Sequence, residues 1–490
     1  MSSAAKLVTG VRGLDDVLHG GLYAGRVYLI EGSPGAGKTT LAMQFLRAGV
    51  AAGQRCVYFA LSESTDELTT AARSHGWALD GIDIVEVIGD GLDPDHDQSV
   101  LHPSELELGE TIRSVMREVA ERRPERIVFD SLSEMRLLVQ SAFRYRRQVM
   151  ALKRFFTSLG CTVLLLDDAT RSAELQLHSV VHGVLALEQE ATDFGGERRR
   201  LRVTKMRAST YLEGWQDYRI ETGGLVVFPR LIVPPPTEAL LRDVIGSGAA
   251  GLDALLGGGL VRGTNTLLMG PSGVGKTSTV MAAAVSAAEH GEKVVLFLSD
   301  ESMGSLLTRS ANLGLDLRPH RHSGRLSIVQ IDPVQVSSGQ FAAMVAASVV
   351  EDGATVVVID SLNAYMQALP NERVFLLQIH ELLAFLNAHN TVTLLVCGQL
   401  GSVAAVRATV DLGYLADAVV LLRFFEADGS VRKAISVLKT RTLAHESTIR
   451  ELKLGPSDLS IGAPLTGFRG VLSGMPEFVG PSSDMMGLPD

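Results

Sequence analysis

Short apolar runs alternate along the chain with longer segments whose composition is typical of helices. Residues 27–31 form one apolar run, a glycine-rich loop follows, and a helix is predicted from Lys38 to about Ala52. Further strands of the first half are predicted at residues 57–61, 127–130 and 163–167. Strands that are apolar throughout and alternate with helices are typical of a parallel sheet covered on both faces. The pattern therefore predicts an α/β fold.

The same pattern occurs a second time, and short identities indicate an internal repeat. Gly13-Leu14-Asp15 recurs as Gly251-Leu252-Asp253, and Lys38 recurs as Lys276 at the same spacing. The second set of strands is predicted at residues 266–269, 294–298, 356–360 and 393–397. Later matches between the halves lie at a shorter spacing, which a small insertion in the first half explains. The acidic stretch at residues 90–110 is the candidate for this insertion.

The two halves meet at a proline-rich segment, where three consecutive prolines at 234–236 form a stiff connection. We expect a first domain at residues 1–232, a linker at 233–243, a second domain at 244–474 and a flexible tail at 475–490.

Composition narrows the class of protein. The chain has 490 residues, 46% of them hydrophobic, and a formal net charge of −10, so it is globular, multidomain and without a general attraction for nucleic acid. Its three cysteines lack zinc or disulfide spacing and are expected to be buried thiols. Without a signal peptide or a membrane-length apolar run, the sequence favours a soluble cytoplasmic protein.

Two segments match the phosphate-binding pattern G-x-x-x-x-G-K-[ST], each between a predicted strand and a predicted helix. Glycines let backbone N–H groups turn toward phosphate oxygens, and the helix N-terminus adds a favourable dipole. Lys38 and Lys276 are expected to reach the β- and γ-phosphates and so to act in catalysis. The nucleotide-binding residues predicted from the loops are Gly32, Ser33, Pro34, Gly35, Ala36, Gly37, Lys38, Thr39 and Thr40, and Gly270, Pro271, Ser272, Gly273, Val274, Gly275, Lys276, Thr277 and Ser278.

A magnesium ion is expected beside each loop. Thr39 and Thr277 offer hydroxyl ligands, and Asp130 and Asp360 end apolar strands where a carboxylate can hold the ion. A helix-capping role is the alternative for these aspartates.

The acid–base group must come from elsewhere, because no glutamate follows Asp130 or Asp360. The strand after each loop helix ends with Glu63 in the first half and with Asp300 and Glu301 in the second, which makes them the candidate catalytic carboxylates. Ordinary surface charge is the alternative.

These residues together resemble the KaiC family, the double-domain members of the RecA-like P-loop ATPases. The resemblance covers most of the chain and includes residues 9–16, the Arg73–Trp77 motif, Lys205-Met206-Arg207, Lys439-Thr440-Arg441 and residues 472–476. It implies two tandem RecA-like P-loop NTPase domains, each a mostly parallel sheet with helices on both faces.

The resemblance also implies an assembly: hexameric double rings with ATP and Mg²⁺ bound between neighbouring subunits. Lys205, Met206, Arg207, Lys439, Thr440 and Arg441 match the segment that contacts the neighbour's ATP, and Ser74 is carried over as a further nucleotide contact. The first half would be an ATPase ring, and the second a slow autokinase and phosphatase. Exposed strand charge is the alternative for the lysines and arginines.

Three departures from the family pattern point to a regulatory ATPase outside a full clock. The carboxylate pair becomes Ser62-Glu63 in the first half, which predicts slow hydrolysis there. Residues 410–417 lack the adjacent Ser and Thr phosphoacceptors, and few residues follow the matching end. A protein signalling partner is expected, and membrane or nucleic-acid binding is not.

Two other function classes stay open: a DNA-acting motor of the same superfamily, and an ATP-binding scaffold with negligible turnover. Basic clusters at residues 144–147 and 198–202 favour single-stranded DNA only weakly, because such runs are more often solvated or intersubunit surfaces. His178 and His182 have helical metal-ligand spacing but no carboxylate or cysteine arranged with them.

Overall fold

The computed structural model describes residues 5–87, 103–137, 142–168, 177–191, 196–233, 243–367, 372–398, 413–427, 429–455, 459–472 and 476–479. The chain divides into two compact units between Arg230 and Leu231.

The first unit is built on one twisted sheet with helices on both faces. Its elements are β1 (Lys6–Leu7), α1 (Leu14–Val17), β2 (Leu22–Tyr23), β3 (Val27–Gly32), α2 (Lys38–Ala51), β4 (Cys56–Ala60), α3 (Thr65–Ser74), β5 (Ile82–Glu86), α4 (Pro103–Arg122), β6 (Arg126–Asp130), α5 (Leu132–Leu137), α6 (Ala142–Ser158), β7 (Thr162–Asp168), β8 (Gly183–Glu190), β9 (Arg198–Met206), β10 (Gln216–Glu221) and β11 (Gly224–Phe228). The described strands of the main sheet lie in the order β11-β10-β9-β8-β3-β7-β6-β4-β5. The adjacent strands β8, β3, β7, β6, β4 and β5 run parallel to one another. Strands β9, β10 and β11 extend the sheet beyond β8 in antiparallel pairs.

The second unit repeats this architecture. Its elements are β12 (Val244–Ile245), α7 (Ala250–Leu256), β13 (Leu260–Val261), β14 (Asn265–Gly270), α8 (Lys276–Glu289), β15 (Val294–Leu298), α9 (Met303–Asn312), α10 (Arg318–His322), β16 (Leu326–Gln330), α11 (Ser338–Val350), β17 (Val356–Asp360), α12 (Leu362–Gln367), α13 (Glu372–Ala388), β18 (Val392–Gly398), β19 (Ala418–Ala427), β20 (Ser430–Thr440), β21 (Arg450–Leu454), β22 (Leu459–Pro464), β23 (Phe468–Arg469) and β24 (Glu477–Phe478). Its described main sheet has the order β16-β15-β17-β18-β14-β19-β20-β21-β22, with the same antiparallel extension.

Each sheet is buried on both faces, which is why its central strands are apolar at every position. Val27 and Leu29 face one core cluster, and Tyr28 and Ile30 face the other. Burying one such side chain contributes about 1.5–3 kcal/mol, so the central strands hold the sheet between its helix layers.

The predicted fold class is confirmed, and the predicted parallel strands lie where the apolar runs are. The shorter repeat spacing comes from the connection between β5 and β6, which is longer than its counterpart, and the additional α10 of the second unit offsets part of this difference. Residues 88–102 of the candidate insertion and 234–242 of the expected linker lie outside the described residues. Within the expected tail, Glu477–Phe478 pairs with Phe468–Arg469.

The three cysteines are buried and unbridged, as expected from their apolar surroundings. Burial raises the pKa of each thiol to about 11, which keeps the sulfur protonated and unreactive. Within the described residues, none of the helices combines the length and the apolar character needed to cross a membrane.

Candidate nucleotide sites

The first loop leaves the sheet at its carboxyl edge. Strand β3 ends at Gly32, Gly35 and Gly37 take positive φ values of 83° and 88°, and α2 begins at Lys38. No side chain caps the start of α2. Its first N–H groups are thus available to an anion such as a phosphate.

The second loop has the same form and borders a cleft of about 1150 Å³. Gly273 and Gly275 take positive φ values of 78° and 114°, and α8 begins at Lys276 without a side-chain cap. The cleft brings together the predicted second-site residues Ser272, Gly273, Gly275, Lys276, Thr277, Ser278, Asp300, Glu301 and Asp360.

Each loop lysine bonds two carbonyl groups of its own loop, but among the described residues only the first also bonds a carboxylate. Lys38 Nζ donates to the carbonyl oxygens of Gly32 and Ser33, at 2.8 and 3.1 Å, and to Asp168 Oδ1 at 2.9 Å. Lys276 Nζ donates to the carbonyl oxygens of Gly270 and Pro271, both at 2.8 Å. Burial lowers the pKa of Lys276, and the charge of Asp360 opposes that effect.

The predicted magnesium ligands of the first unit lie together. Thr39 Oγ1 donates to Asp130 Oδ2 at 3.0 Å, and the Tyr58 hydroxyl donates to the same oxygen. Burial raises the pKa of Asp130, whereas these two hydrogen bonds lower it.

In the second unit, the carboxylate of Asp360 has fewer hydrogen bonds from described residues than that of Asp130. Its Oδ2 is buried and has no hydrogen-bond partner among the described residues. Burial raises the pKa of Asp360 to about 6, against the lowering effect of a hydrogen bond from Thr277, and the charges of Asp300 and Glu301 add to the rise. A hydroxyl beside a carboxylate with an unused buried oxygen fits a hard cation such as Mg²⁺.

The candidate catalytic carboxylates lie at the same sheet edge, because β4 and β15 run parallel beside the strands that end in Asp130 and Asp360. In the second unit Asp300 accepts hydrogen bonds from Ser299 and Ser361, and Glu301 pairs with Arg309. In the first unit, desolvation raises the pKa of Glu63, and the charge of Asp130 adds to it.

The Lys205-Met206-Arg207 segment lies at the opposite edge of the sheet from the first loop. Met206 pairs with Gly183, which pairs with Tyr28 near the start of β3, whereas the loop follows Gly32 at its end. Lys205 donates to the carbonyls of His178 and Val181, and Arg207 to that of Ser179. At about 3.3 Å per residue, the length of β3 separates this segment from its own phosphate loop.

The second unit repeats this placement. Lys439 Nζ donates to the carbonyls of Gly413 and Ala416, and Arg441 donates to that of Tyr414. Thr440 Oγ1 donates to the Leu443 carbonyl. Neither triplet therefore joins the site formed by its own unit.

The comparison with known proteins decides the family. A family model described as the ATPase KaiC matches residues 7–232 and again residues 245–465.

The chain belongs to the KaiC family of ATPases.

Its relatives align with it over almost their whole length. The circadian clock oscillator protein KaiC of Acaryochloris marina is 25% identical over 96% of this chain and 91% of its own. The circadian clock protein KaiC3 of Synechocystis is 26% identical over 97% of this chain and 95% of its own. The KaiC oscillator protein of Synechococcus elongatus is 24% identical, with 96% and 92% covered.

Ser74 is the remaining residue predicted to contact the nucleotide. It is the last residue of α3, and its hydroxyl donates to the Ala71 carbonyl. At the corresponding end of α9, Asn312 lines the second cleft. The position therefore faces the nucleotide cleft in the second unit.

Sequence patterns missed three residues of the KaiC-type sites. Lys433 on β20 lines the second cleft, and no motif marks it. Tyr58 reaches Asp130, although it looks like an ordinary core residue in the sequence. Asp168 reaches Lys38, and the two consecutive carboxylates at the end of an apolar run were the signal that could have found it.

The other polar clusters serve the structure of the first KaiC-type unit. Arg200 pairs with Glu188, and Arg200 and Arg202 both stack on Trp215. His178 pairs with Glu31, whereas His182 accepts a hydrogen bond from the Val27 N–H. Across the described residues, His, Cys, Asp and Glu form no metal-binding group of three or more.

Proposed function

We propose that this protein is a magnesium-dependent ATPase that binds ATP at both loops and assembles into a nucleotide-dependent hexameric double ring with a regulatory or signalling role. The observation that carries the proposal is the position of the cationic triplets. Lys205 and Arg207, like Lys439 and Arg441, lie at the sheet edge opposite their own phosphate loop.

A cation at that edge can serve only a nucleotide bound outside its own unit, and the proposal assigns that nucleotide to a neighbouring copy of the chain. Lys276 supplies the positive charge of the second loop from its own unit. An arginine from a neighbouring subunit would stabilise charge developing on the γ-phosphate and would couple turnover to assembly. Repeated head-to-tail contacts of this kind form a ring when the rotation between neighbouring copies closes, as the proposal requires.

Within the second site the residues divide the work by position. The backbone amides after Gly270 and the Lys276 ammonium would bind the phosphates, and Thr277 and Asp360 would hold Mg²⁺. Bound Mg²⁺ neutralises phosphate charge. Asp300 or Glu301 would orient the attacking water and accept its proton.

The first site is expected to turn over more slowly, because Ser62 replaces one carboxylate of the pair and leaves Glu63 alone. A nucleotide held there would persist and act as part of the assembly.

Regulation is supported by the relatives, whose names describe circadian clock proteins. Residues 410–417 contain neither serine nor threonine. If the second unit has Ser/Thr autokinase activity, the proposal therefore places the phosphoacceptor outside this stretch. Residues 410–412 lie outside the described part of the chain.

A DNA-acting role receives less support from the basic clusters. Arg199 and Arg200 are paired with Glu197 and Glu188, and Arg200 also stacks on Trp215. Charges already engaged in this way contribute less to binding a phosphate backbone.

Mixing two inactive variants tests the proposal. Lys276→Ala removes the phosphate lysine and Arg441→Ala removes the cation for the neighbour, so each variant alone should show little turnover at the second site. When the two are mixed under assembling conditions, interfaces that combine the intact Lys276 of one copy with the intact Arg441 of the next should regain turnover.

The control mixes Lys276→Ala with the double variant Lys276→Ala/Arg441→Ala, which can form no complete second site. Mixed assemblies that are verified by mass but hydrolyse no more ATP than this control would contradict the role of Arg441 in trans.

A further inference from the structure

The first unit carries a carboxylate beside its phosphate lysine that the second unit lacks. Asp168 ends β7 and lies opposite Gly32 in the parallel register. At the same place in the second unit, β18 ends in Gly398, opposite Gly270. The strand next to the loop ends in Asp167 and Asp168 in the first unit and in Cys397 and Gly398 in the second, and of the two carboxylates it is Asp168 that reaches the loop lysine.

This carboxylate takes the third hydrogen-bond donor of the lysine. A lysine ammonium has three N–H groups, and Lys38 directs them to the Gly32 carbonyl, the Ser33 carbonyl and Asp168. In the described part of the second unit, Lys276 bonds the two corresponding carbonyls, which leaves one N–H for a phosphate oxygen. All three N–H groups of Lys38 are thus bonded within its own unit, whereas Lys276 has one N–H group available for an anion.

Asp168 is held at this position by its neighbours, although its side chain is 40% exposed. Ser133 Oγ donates to Asp168 Oδ2 at 3.1 Å and accepts the Asp168 N–H at 3.1 Å. The preceding residue, Asp167, is paired with Arg136. The carboxylate is thus fixed against the lysine by the end of the strand and by α5.

We propose that Asp168 is a specificity-determining residue that makes the first site favour ADP over ATP. This inference rests on the proposed binding of nucleotide at both loops. It adds a preference to the first site that the second site, with Gly398, does not share.

The physical basis is charge repulsion at the γ-phosphate. The lysine of a phosphate-binding loop contacts the β- and γ-phosphates, so a carboxylate in contact with that lysine lies next to the terminal phosphate of ATP. With ADP, Lys38 can keep its ion pair and turn one of the N–H groups that bond the loop carbonyls to the β-phosphate. With ATP, the γ-phosphate must compete with Asp168 for the same ammonium group and approach a like charge.

Separate binding measurements on the two sites test this preference. The first site is isolated in full-length Lys276→Ala, and ADP and the non-hydrolysable analogue AMP-PNP are titrated with Mg²⁺ by calorimetry. Adding Asp168→Asn should tighten AMP-PNP binding about tenfold, as expected for a charge effect of about 1.4 kcal/mol, and should change ADP binding much less.

The reciprocal change introduces the charge where it is absent. In full-length Lys38→Ala, which isolates the second site, Gly398→Asp should weaken AMP-PNP binding about tenfold and ADP binding less. The nearest atom to a Cβ at this position would be Asn363 Oδ1 at 3.4 Å, an ordinary van der Waals contact. Asp168→Glu, the charge-preserving control, should keep the preference for ADP.

The outcomes separate this inference from the proposed function. Equal changes for both nucleotides, or an unchanged ratio in both Asp168→Asn and Gly398→Asp, would overturn the role of Asp168 while leaving nucleotide binding intact. Folded protein that binds neither ADP nor AMP-PNP at either site would refute the proposed function, and this inference with it.

Discussion

At the residue scale, single substitutions between the repeats change the environment of the buried aspartates. Tyr58 donates a hydrogen bond to Asp130, whereas Leu296 holds the corresponding position on β15 and has no donor. The Oδ2 atom of Asp360 consequently has no partner among the described residues. An unpaired buried carboxylate oxygen is costly, so the second unit gains more from a bound cation.

His182 is a second residue whose surroundings decide its behaviour. Its Nδ1 accepts a hydrogen bond from the Val27 N–H at 3.1 Å, which requires the ring nitrogen to be unprotonated. Burial lowers the pKa of His182 to about 4, and the nearby positive charges of Lys153, Arg26 and Arg207 also lower it.

We predict that acid destabilises the first unit through His182. The unfolded histidine takes up a proton near pH 6.5, whereas the folded one does so near pH 4, so the unfolded state binds more protons between these values. The contribution of the neutral ring is complete above pH 6.5 and is lost as the pH falls toward 4. Thermal unfolding of the first unit, followed by tryptophan fluorescence because Trp77 and Trp215 both lie there, should show a lower Tm at pH 5 than at pH 7.

His182→Gln keeps an acceptor for the Val27 N–H but has no proton to bind, so its Tm should fall less over the same range. The matched control is His290→Gln, on the surface of the second unit, which should behave as the wild type. Identical pH dependence in His182→Gln and the wild type would rule out this residue as the source.

At the element scale, the helices that follow β4 and β15 both have a serine as the N-cap residue but differ in their capping hydrogen bonds. Ser64 Oγ accepts the Glu67 N–H, and Glu67 Oε2 accepts the Ser64 N–H at 2.8 Å, which together form a capping box on α3. Ser302 caps α9 through the Ser305 N–H, and a serine replaces the glutamate. The helix α9 ends at Asn312, which lines the second-unit cleft, so its cap helps to fix one side of that cleft.

We predict that Ser64→Ala lowers the free energy of unfolding of the first unit by about 0.5–2 kcal/mol, because it removes the hydroxyl that accepts the Glu67 N–H and donates to Glu67 Oε2. Ser302→Ala should cost less in the second unit, since only one bond is lost. Urea unfolding followed by tryptophan fluorescence for Ser64→Ala and by circular dichroism for both variants measures the difference. A larger loss in Ser302→Ala would show that the bond from the Ser64 hydroxyl to Glu67 contributes nothing.

At the scale of the whole molecule, the duplicated units share one fold but offer two chemically different sites. Among the described residues, Glu63, Asp130, Asp167 and Asp168 lie at the loop edge of the first unit, and Asp300, Glu301 and Asp360 lie at that of the second. The proposed consequence is that the first site turns over ATP slowly and the second site turns it over faster.

We predict that Lys38→Ala weakens nucleotide-dependent assembly more than Lys276→Ala, because a nucleotide that is turned over slowly remains as a lasting part of a subunit interface. Light scattering with and without ATP measures the mass of each variant. The wild type should grow to a hexamer with ATP, and Lys38→Ala should remain smaller. Hexamers of unchanged stability in Lys38→Ala would contradict a structural role for the first site.

Much of the fold followed from the sequence because its central strands are apolar at every position and alternate with helices. The parallel strands β3, β4, β6 and β7 and their repeats were predicted with small differences at the ends. The antiparallel extension formed by β9, β10 and β11 was not predicted, because strands such as Arg198–Met206 mix charged and apolar residues and lack that uniform signal.

The sequence by itself determined the two phosphate loops and the repeat, because glycine, lysine and hydroxyl residues at fixed spacing act through local backbone geometry. Only the tertiary structure decided that Asp168 meets Lys38, that Tyr58 meets Asp130, and that Lys205 and Arg207 lie away from their own loop. Those contacts depend on strand order and register, which bring together residues far apart in the chain and separate others that a motif would group.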